Sequence, residues 1–123
     1  MVEKKEIFTE LKKLLEKYGS KLKVTKNNDK AFELHTTKTV TLFNKEYPGL
    51  FFASVVIQGG FVGFYFFPIY TNPDKFKDMD PDLRKLLKGK SCFHIKKLDK
   101  ELTDLIKDLL KQGYDLYKKG GII

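Results

Sequence analysis

The sequence predicts an α+β fold of two layers, in which an antiparallel sheet of about five to six strands is packed by helices from both ends of the chain. Three observations favour this fold class. Amphipathic helical patterns occupy both ends of the 123 residues. Strand patterns fill the centre, which holds most of the 11 Phe and 6 Tyr side chains. Two apolar runs joined by a Gly-Gly turn predict a hairpin in the middle of the sheet.

The N-terminal segment is predicted to form an amphipathic helix. Its apolar side chains recur at intervals of three and four residues, which places them on one helical face. They are Ile7, Leu11, Leu14, Leu15 and Tyr18. Lys and Glu fill most of the other positions, and Gly19 is suited to end the helix because glycine readily adopts the backbone of a C-terminal cap.

The pattern then changes to the alternation that is typical of half-exposed strands. Leu22 and Val24 alternate with lysines, and Phe32 and Leu34 resume the alternation further along. Between the two segments, residues 27–29 read Asn-Asn-Asp, which is a turn signal because Asn and Asp tolerate left-handed backbone. Two neighbouring strands are therefore expected here.

The central part of the chain is predicted to supply the middle of the sheet. A stretch rich in Thr and Val runs over 38–43, and Pro48 with Gly49 then breaks the chain. The apolar runs 50–57 and 61–67 follow, joined by Gln-Gly-Gly, and should pair as an antiparallel hairpin. Both runs are apolar on both faces, so we expect each face of these strands to be covered.

The C-terminal part is predicted to contain a short helix, a last strand and a long helix. Asp80 before Pro81 is a typical helix start and predicts a short helix near 81–88. Residues 91–95 alternate like a strand, and Asp99 is placed to cap a final helix with one leucine-rich face. No linker or repeat interrupts the chain, so residues 1–123 are expected to form a single domain.

The charge is strongly positive but unevenly distributed. The net charge is +8, the centre of the chain over 31–73 is neutral, and both ends are basic. Arg84 is the single arginine among 24 cationic side chains. Because base recognition in the major groove favours arginine, we expect no sequence-specific binding of nucleic acid. A solubilising lysine surface and weak, non-specific association with nucleic acid both stay open.

The location is predicted to be cytoplasmic. Cys92 is the single cysteine, so an intrachain disulfide cannot form, which fits a reducing compartment. The N-terminus is charged and lacks the apolar run of a signal peptide. The longest apolar stretches are too short to span a bilayer, so no membrane association is expected.

The stretch Gly60-Phe-Val-Gly-Phe-Tyr65 is followed by a proline, a proline-started helix, Leu87-Lys-Gly-Lys-Ser91, a strand and a final helix. This arrangement resembles the YdhG-like family, small bacterial domains of unknown function. The resemblance covers roughly 3–118 in element order and is specific over about 50–117. It implies a two-layer α+β fold with some likeness to frataxin. It also implies a frataxin-like iron-handling activity, since some relatives are described as iron chaperones.

Cys92 and His94 are the first candidates for a functional site. They are two residues apart on a predicted strand, so both project from one face, while Phe93 and Ile95 should point to the helices. A Cys–His pair can act as a nucleophile with its base, as half of a metal site, or simply as packing. Neighbours at this spacing lie roughly 6–7 Å apart, which opposes a direct hydrogen bond.

Three further residues complete the candidate ligand site. Tyr65 and Tyr70, together with Phe66 and Phe67, could line an apolar pocket in which the tyrosine hydroxyls are the polar groups. Core packing is the alternative role of the two phenylalanines. Lys90 lies in a turn suited to an anion. The loop over 68–80 is predicted to fold as a lid over the Cys92–His94 face, with a homodimer as the alternative cover.

The predicted function is therefore a small binding or chaperone-like domain for a small-molecule or anionic ligand. A frataxin-like iron-handling protein and a small enzyme that uses the Cys92–His94 face are the alternatives. No residue is assigned as catalytic or as a metal ligand, and no cofactor is expected.

Overall fold

The computed structural model describes residues 4–42 and 44–123 of the chain. Phe43, the end of the predicted 38–43 stretch, and residues 1–3 lie outside the described residues. The elements in chain order are α1 (Lys4–Glu16), β1 (Lys23–Asn27), β2 (Ala31–His35), β3 (Val40–Leu42), β4 (Lys45–Tyr47), β5 (Phe51–Ile57), β6 (Val62–Phe66), α2 (Pro68–Thr71), a 3-10 turn (Pro73–Phe76), α3 (Pro81–Arg84), β7 (Cys92–Ile95) and α4 (Lys100–Lys119).

The main sheet has five antiparallel strands in the order β1-β2-β5-β6-β7. Strands β5 and β6 form the predicted hairpin, with Val55 opposite Phe64. The predicted α+β fold class, with an antiparallel sheet and helices from both ends, is confirmed. Strands β3 and β4 pair with each other in a separate two-stranded sheet, because the chain turns back at Asn44, whose φ of 63° is left-handed.

The two faces of the main sheet follow from its register, because residues directly opposite each other in antiparallel strands project from the same face. One such row joins four buried side chains across four strands. It consists of Phe32, Val55, Phe64 and Phe93. A parallel row contains Leu34, Ala53 and Phe66, which are also buried. This face forms the sheet's side of the hydrophobic core.

Both terminal helices pack on that same face. Tyr18, which follows α1, and Tyr114 and Tyr117 of α4 all place their rings within 6.4 Å of the Phe52 ring. The buried side chains of α1 and α4 belong to one continuous cluster with those of the sheet. The Asp99 carboxylate accepts a hydrogen bond from the Leu102 amide at 2.8 Å and so begins α4 as predicted.

A β-bulge in β5 decides which aromatic side chains reach the other face. Leu34 lies opposite Ala53 but His35 lies opposite Phe51, so Phe52 is the extra residue of β5. Phe52 and Ala53 are both buried on the helix side. The shift leaves Phe51 beside His35 on the opposite face, with their ring centroids 5.4 Å apart.

The short helix predicted near 81–88 is present, but it ends at Arg84, because residues 86–88 turn along the edge of the sheet. There the Lys88 amide donates to the Cys92 carbonyl at 2.7 Å, and the His94 amide donates to the Leu86 carbonyl at 2.9 Å. The edge of β7 is thus partly paired, as sheet edges commonly need to be.

The prediction of a lid over the Cys92–His94 face is wrong, because most of the 68–80 loop packs on the helical side. Ile69 and Phe76 are buried in the core, and the Phe76 ring meets the Phe66 ring edge-on at 5.6 Å. The Gln112 side chain of α4 donates to the Lys75 carbonyl at 3.2 Å. Burial of these two apolar side chains draws the loop away from the opposite face.

None of the helices in the described part of the chain combines the length and the apolar character that crossing a bilayer would require.

Candidate functional site

The surface of the main sheet that faces away from α1 and α4 is called the open face. Its side chains come from all five strands and are mostly partly exposed. They are Lys23, Lys26, Ala31, Glu33, His35, Phe51, Ser54, Val56, Gly63, Tyr65, Cys92 and His94. Phe67 joins them just beyond β6, because its ring lies 5.7 Å from the Phe51 ring.

Tyr65 lies at the middle of the open face. Its ring lies along the sheet above Gly63, where an added Cβ would come within 3.1 Å of it. The Gln58 amide donates to the Tyr65 hydroxyl at 3.1 Å and holds the ring in this direction. Burial raises the pKa of Tyr65, and the neighbouring Cys92 raises it further. The hydroxyl is therefore a neutral hydrogen-bonding group at physiological pH.

Cys92 is directly opposite Tyr65 in the register and shares its face, as predicted. Burial raises the pKa of the Cys92 thiol, and the Tyr65 hydroxyl offsets this only in part. Because the thiolate is the nucleophile in cysteine chemistry, a raised pKa disfavours catalysis at this position. The arrangement makes Cys92 a half-buried neutral group.

His94 projects from the same face as Cys92 but has a different partner. Its ring stacks on the Phe61 ring with a centroid distance of 3.7 Å and an interplanar angle of 14°. Phe93 and Ile95, the alternate residues of β7, are buried on the helix side, as the strand pattern predicted. The structure thus places Cys92 and His94 on one face and engages each with a separate aromatic residue.

An aromatic strip crosses one end of the open face. It is defined by His35, Phe51, Phe67 and Tyr70. Successive ring centroids are 5.4, 5.7 and 5.3 Å apart, so the strip is continuous. All four residues keep some exposure, and Tyr70 is 37% exposed. The Lys90 ammonium lies 5.6 Å from the centroid of the Tyr70 ring, at cation–π distance.

The open face is positively charged along two opposite margins. In β1, Lys23 is opposite His35 and Lys26 is opposite Glu33, so both lysines belong to this face. Lys90 lies at the other margin beside Tyr70. Glu33 is the one carboxylate among the open-face strand residues named above, and it already accepts from the Thr25 hydroxyl at 2.8 Å.

A second concavity lies between the 80–88 segment and the beginning of α4. This groove encloses about 700 Å³, and its apolar lining includes Leu86, Leu102 and Leu105. Its charged lining is mixed. The acids are Asp80, Asp82, Asp99, Glu101, Asp104 and Asp108, and the bases are Lys85, Lys88, Lys96 and Lys97. Two of the acids are helix caps, since Asp80 accepts from the Asp82 amide and Asp99 from the Leu102 amide.

The five residues predicted for the ligand site all lie on the open face or at its rim, but they form two groups. Tyr65, Cys92 and His94 lie together on β6 and the edge strand β7, whereas Tyr70 and Lys90 lie at one end of the aromatic strip. Phe67 is one of the residues suggested by the sequence as pocket lining, whereas His35 and Phe51 were not predicted for the site and Phe66 is buried in the core. Residues 4–42 and 44–123 contain no group of three or more His, Cys, Asp or Glu side chains that could hold a metal ion.

Comparison with protein families, with curated proteins and with solved structures found no match for this chain. The resemblance to the YdhG-like family therefore stays a prediction, and the candidate site rests on its own geometry.

Proposed function

We propose that this chain is a non-enzymatic binding domain that holds a flat, negatively charged ligand on the open face of its sheet. The observation that carries the proposal is the aromatic strip, which is partly exposed and lies between lysines on two margins. Aromatic rings stack on flat groups through their π-faces, and the lysines attract the negative charge.

The exposure of these rings favours a role in ligand binding over a role in core packing. The helix-facing side chains of β2, β6 and β7 are buried almost completely. Phe51 and Phe67 instead remain in partial contact with water, together with His35 and Tyr70. Apolar surface in contact with water is unfavourable by roughly 25 cal/mol per Å², so a contiguous exposed patch commonly marks a binding surface.

The chemistry of Cys92 supports binding over catalysis. A cysteine nucleophile needs a lowered pKa or an adjacent base, whereas burial raises the pKa of Cys92. His94 is stacked face to face on Phe61, which uses the ring as a packing surface. Both residues are half-buried parts of the open face and lie on its edge strand, β7.

The groove beside α4 is a weaker site for an anion. Its lining carries six acids against four lysines, so the local field does not favour negative charge. Asp82 and Lys85 also pair with each other at 4.0 Å. The lysines of the open face have one carboxylate among them, and that carboxylate is hydrogen-bonded to Thr25 and His35.

Titration with anilinonaphthalene sulfonate, an aromatic anion whose fluorescence rises on binding, tests the proposal. Loss of a stacking ring should weaken binding of this probe about 3- to 10-fold in Phe67→Ala and in Tyr70→Ala. The matched control is Val24→Ala, because Val24 is 39% exposed and belongs to the helix side of the sheet edge. Circular dichroism and thermal unfolding would establish that each variant is folded.

The control variant should bind the probe like the unmodified chain. Equal affinity of all three variants and the unmodified chain, or the absence of saturable binding, would contradict the proposal.

A further inference from the structure

We infer that the ligand of the open face is single-stranded nucleic acid, whose bases stack on the aromatic strip and whose phosphates contact the flanking lysines. This inference rests on the proposed function and names the class of its ligand.

The rings form a continuous surface on which unpaired bases can stack. The strip runs from β2 across β5 to the end of β6 and the following loop, with neighbouring centroids 5.3 to 5.7 Å apart. Bases of a single strand can be splayed and stacked on protein aromatic rings, whereas the bases of a duplex are stacked on each other. The strip should therefore prefer single strands to duplexes.

The lysines are placed to contact the backbone that links such bases. Lys23 is opposite His35 at one end of the strip, and Lys90 lies over Tyr70 at the other. A strand that follows the rings would thus have a cation at each end. Positive charge beside exposed aromatic side chains is the combination that proteins use to bind single-stranded nucleic acid.

The arginine of this chain is engaged elsewhere, which argues against sequence-specific recognition. The Arg84 guanidinium donates to the Phe76 carbonyl at 2.7 Å, beside the core on the helical side. Bidentate reading of guanine normally requires an arginine or lysine held at the base edge. Stacking tolerates every base, so binding should depend on the presence of bases and only weakly on their sequence.

Charge complementarity favours this occupant over a second copy of the chain. Each copy carries a net charge of +8, and two open faces brought together would place lysine margins near one another. Like charges at an interface are unfavourable, whereas a polyanion gains from both margins.

Fluorescence anisotropy with a labelled oligothymidylate of about ten nucleotides, a length within the range that one domain commonly covers, tests the inference. Inorganic polyphosphate serves as a competitor that has the charge but lacks bases, and a duplex of equal length is the second comparison. We expect the single strand to bind at least about 10-fold more tightly than either of them, because each stacked base contributes to affinity.

The variants separate stacking from charge. Phe51→Leu and Phe67→Leu keep an apolar side chain of similar bulk and remove the π-face, and each should weaken oligothymidylate binding about 5-fold or more. Val24→Ala serves again as the control, since Val24 is exposed on the helix side of the sheet edge and lies outside the open face. Lys23→Gln and Lys90→Gln should each reduce the steepness with which affinity falls as salt rises.

The inference is overturned if polyphosphate competes as well as unlabelled oligothymidylate, or if the Leu variants of the strip bind like Val24→Ala. The result with anilinonaphthalene sulfonate separates the two proposals. If that probe depends on the strip while the oligonucleotide does not, the nucleic-acid inference fails and the proposed function stands. If neither depends on the strip, both fail.

Discussion

The side chain of Tyr117 in α4 is hydrogen-bonded to the backbone of Phe51 in β5, whose ring is partly exposed on the open face. Its hydroxyl donates to the Phe51 carbonyl at 2.9 Å, and the tyrosine is 1% exposed. This bond satisfies a carbonyl at the β5 bulge, where the regular ladder is interrupted. Because the bulge turns Phe51 toward the open face, a buried contact on the helical side helps to fix the position of a ring on the opposite side.

Burial raises the pKa of Tyr117, which predicts a specific weakening of the fold at alkaline pH. Tyrosine in the unfolded chain ionises near pH 10, whereas folded Tyr117 keeps its proton to higher pH. Between these values the folded state binds more protons, so the free energy of unfolding falls as pH rises. Stability from this group is complete below about pH 10 and is lost above it.

Urea unfolding of the unmodified chain and Tyr117→Phe, measured from neutral pH to about pH 11, tests this effect. The variant should lose roughly 0.5–1.5 kcal/mol at neutral pH through the missing hydrogen bond. Above about pH 10 its free energy of unfolding should fall less steeply than that of the unmodified chain. Parallel curves over the alkaline range would refute the link between Tyr117 burial and stability.

At the scale of elements, α4 depends on a glycine for its approach to the sheet. Gly113 is buried, and a Cβ at this position would collide with the Phe66 ring and lie 2.9 Å from Pro68. The absence of a side chain lets α4 pack directly over the end of β6. That contact also fixes the chain just before Tyr70, so it helps to set one end of the aromatic strip.

Gly113→Ala should destabilise the fold by about 1–3 kcal/mol, because overpacking of the core exceeds the gain of roughly 1 kcal/mol from alanine's helix propensity. The matched control is Gly59→Ala in the exposed hairpin turn, where an added Cβ meets nothing within 4 Å. Its free energy of unfolding should stay within about 0.5 kcal/mol of the unmodified chain. If Gly113→Ala were as stable as the control, α4 would not pack against Phe66 as closely as the structure shows, and the prediction would be wrong.

Most helices and strands could be predicted from local signals, but the pairing register of β2 with β5 and the side of the sheet on which the 68–80 loop packs could not. Periodicity identified the terminal helices, and the Gly-Gly turn identified the hairpin of β5 and β6. The β5 bulge depends on which residue of β2 pairs with Phe51, and nothing within β5 alone indicates it. The loop over 68–80 packs on the helical side and not over the open face, because Ile69 and Phe76 are buried in the core. The local sequence of the loop does not indicate which side of the sheet these two side chains reach.

The same limit explains the incomplete site prediction. The alternation of β7 was enough to place Cys92 and His94 on the face away from the helices. The aromatic strip draws on β2, β5 and two residues after β6, so it exists only once the register of three segments is known. The sequence signal for an apolar surface on the open face was that 50–57 and 61–67 are apolar on both faces. Phe51 and Phe67, two members of the strip, belong to these runs.

At the scale of the whole molecule, the hydrophobic core and the proposed binding surface lie on opposite sides of one sheet. The helical side contains the continuous core and the contacts that determine stability. The open face carries partly exposed rings, a central Tyr65 above Gly63, and lysines at two margins. Because opposite sides of a strand alternate residue by residue, changes on the open face should alter binding while leaving the core largely intact.

The most direct test of the open face as the binding surface is a map of backbone amide chemical shifts in isotope-labelled protein titrated with anilinonaphthalene sulfonate. The rival surface is the groove lined by Leu86, Leu102 and Leu105. If the open face binds the probe, saturable amide shift changes should concentrate at His35, Phe51 and their neighbours in the register, and the changes in α4 should be small. Shifts concentrated at the three leucines, with the aromatic strip unchanged, would contradict this prediction.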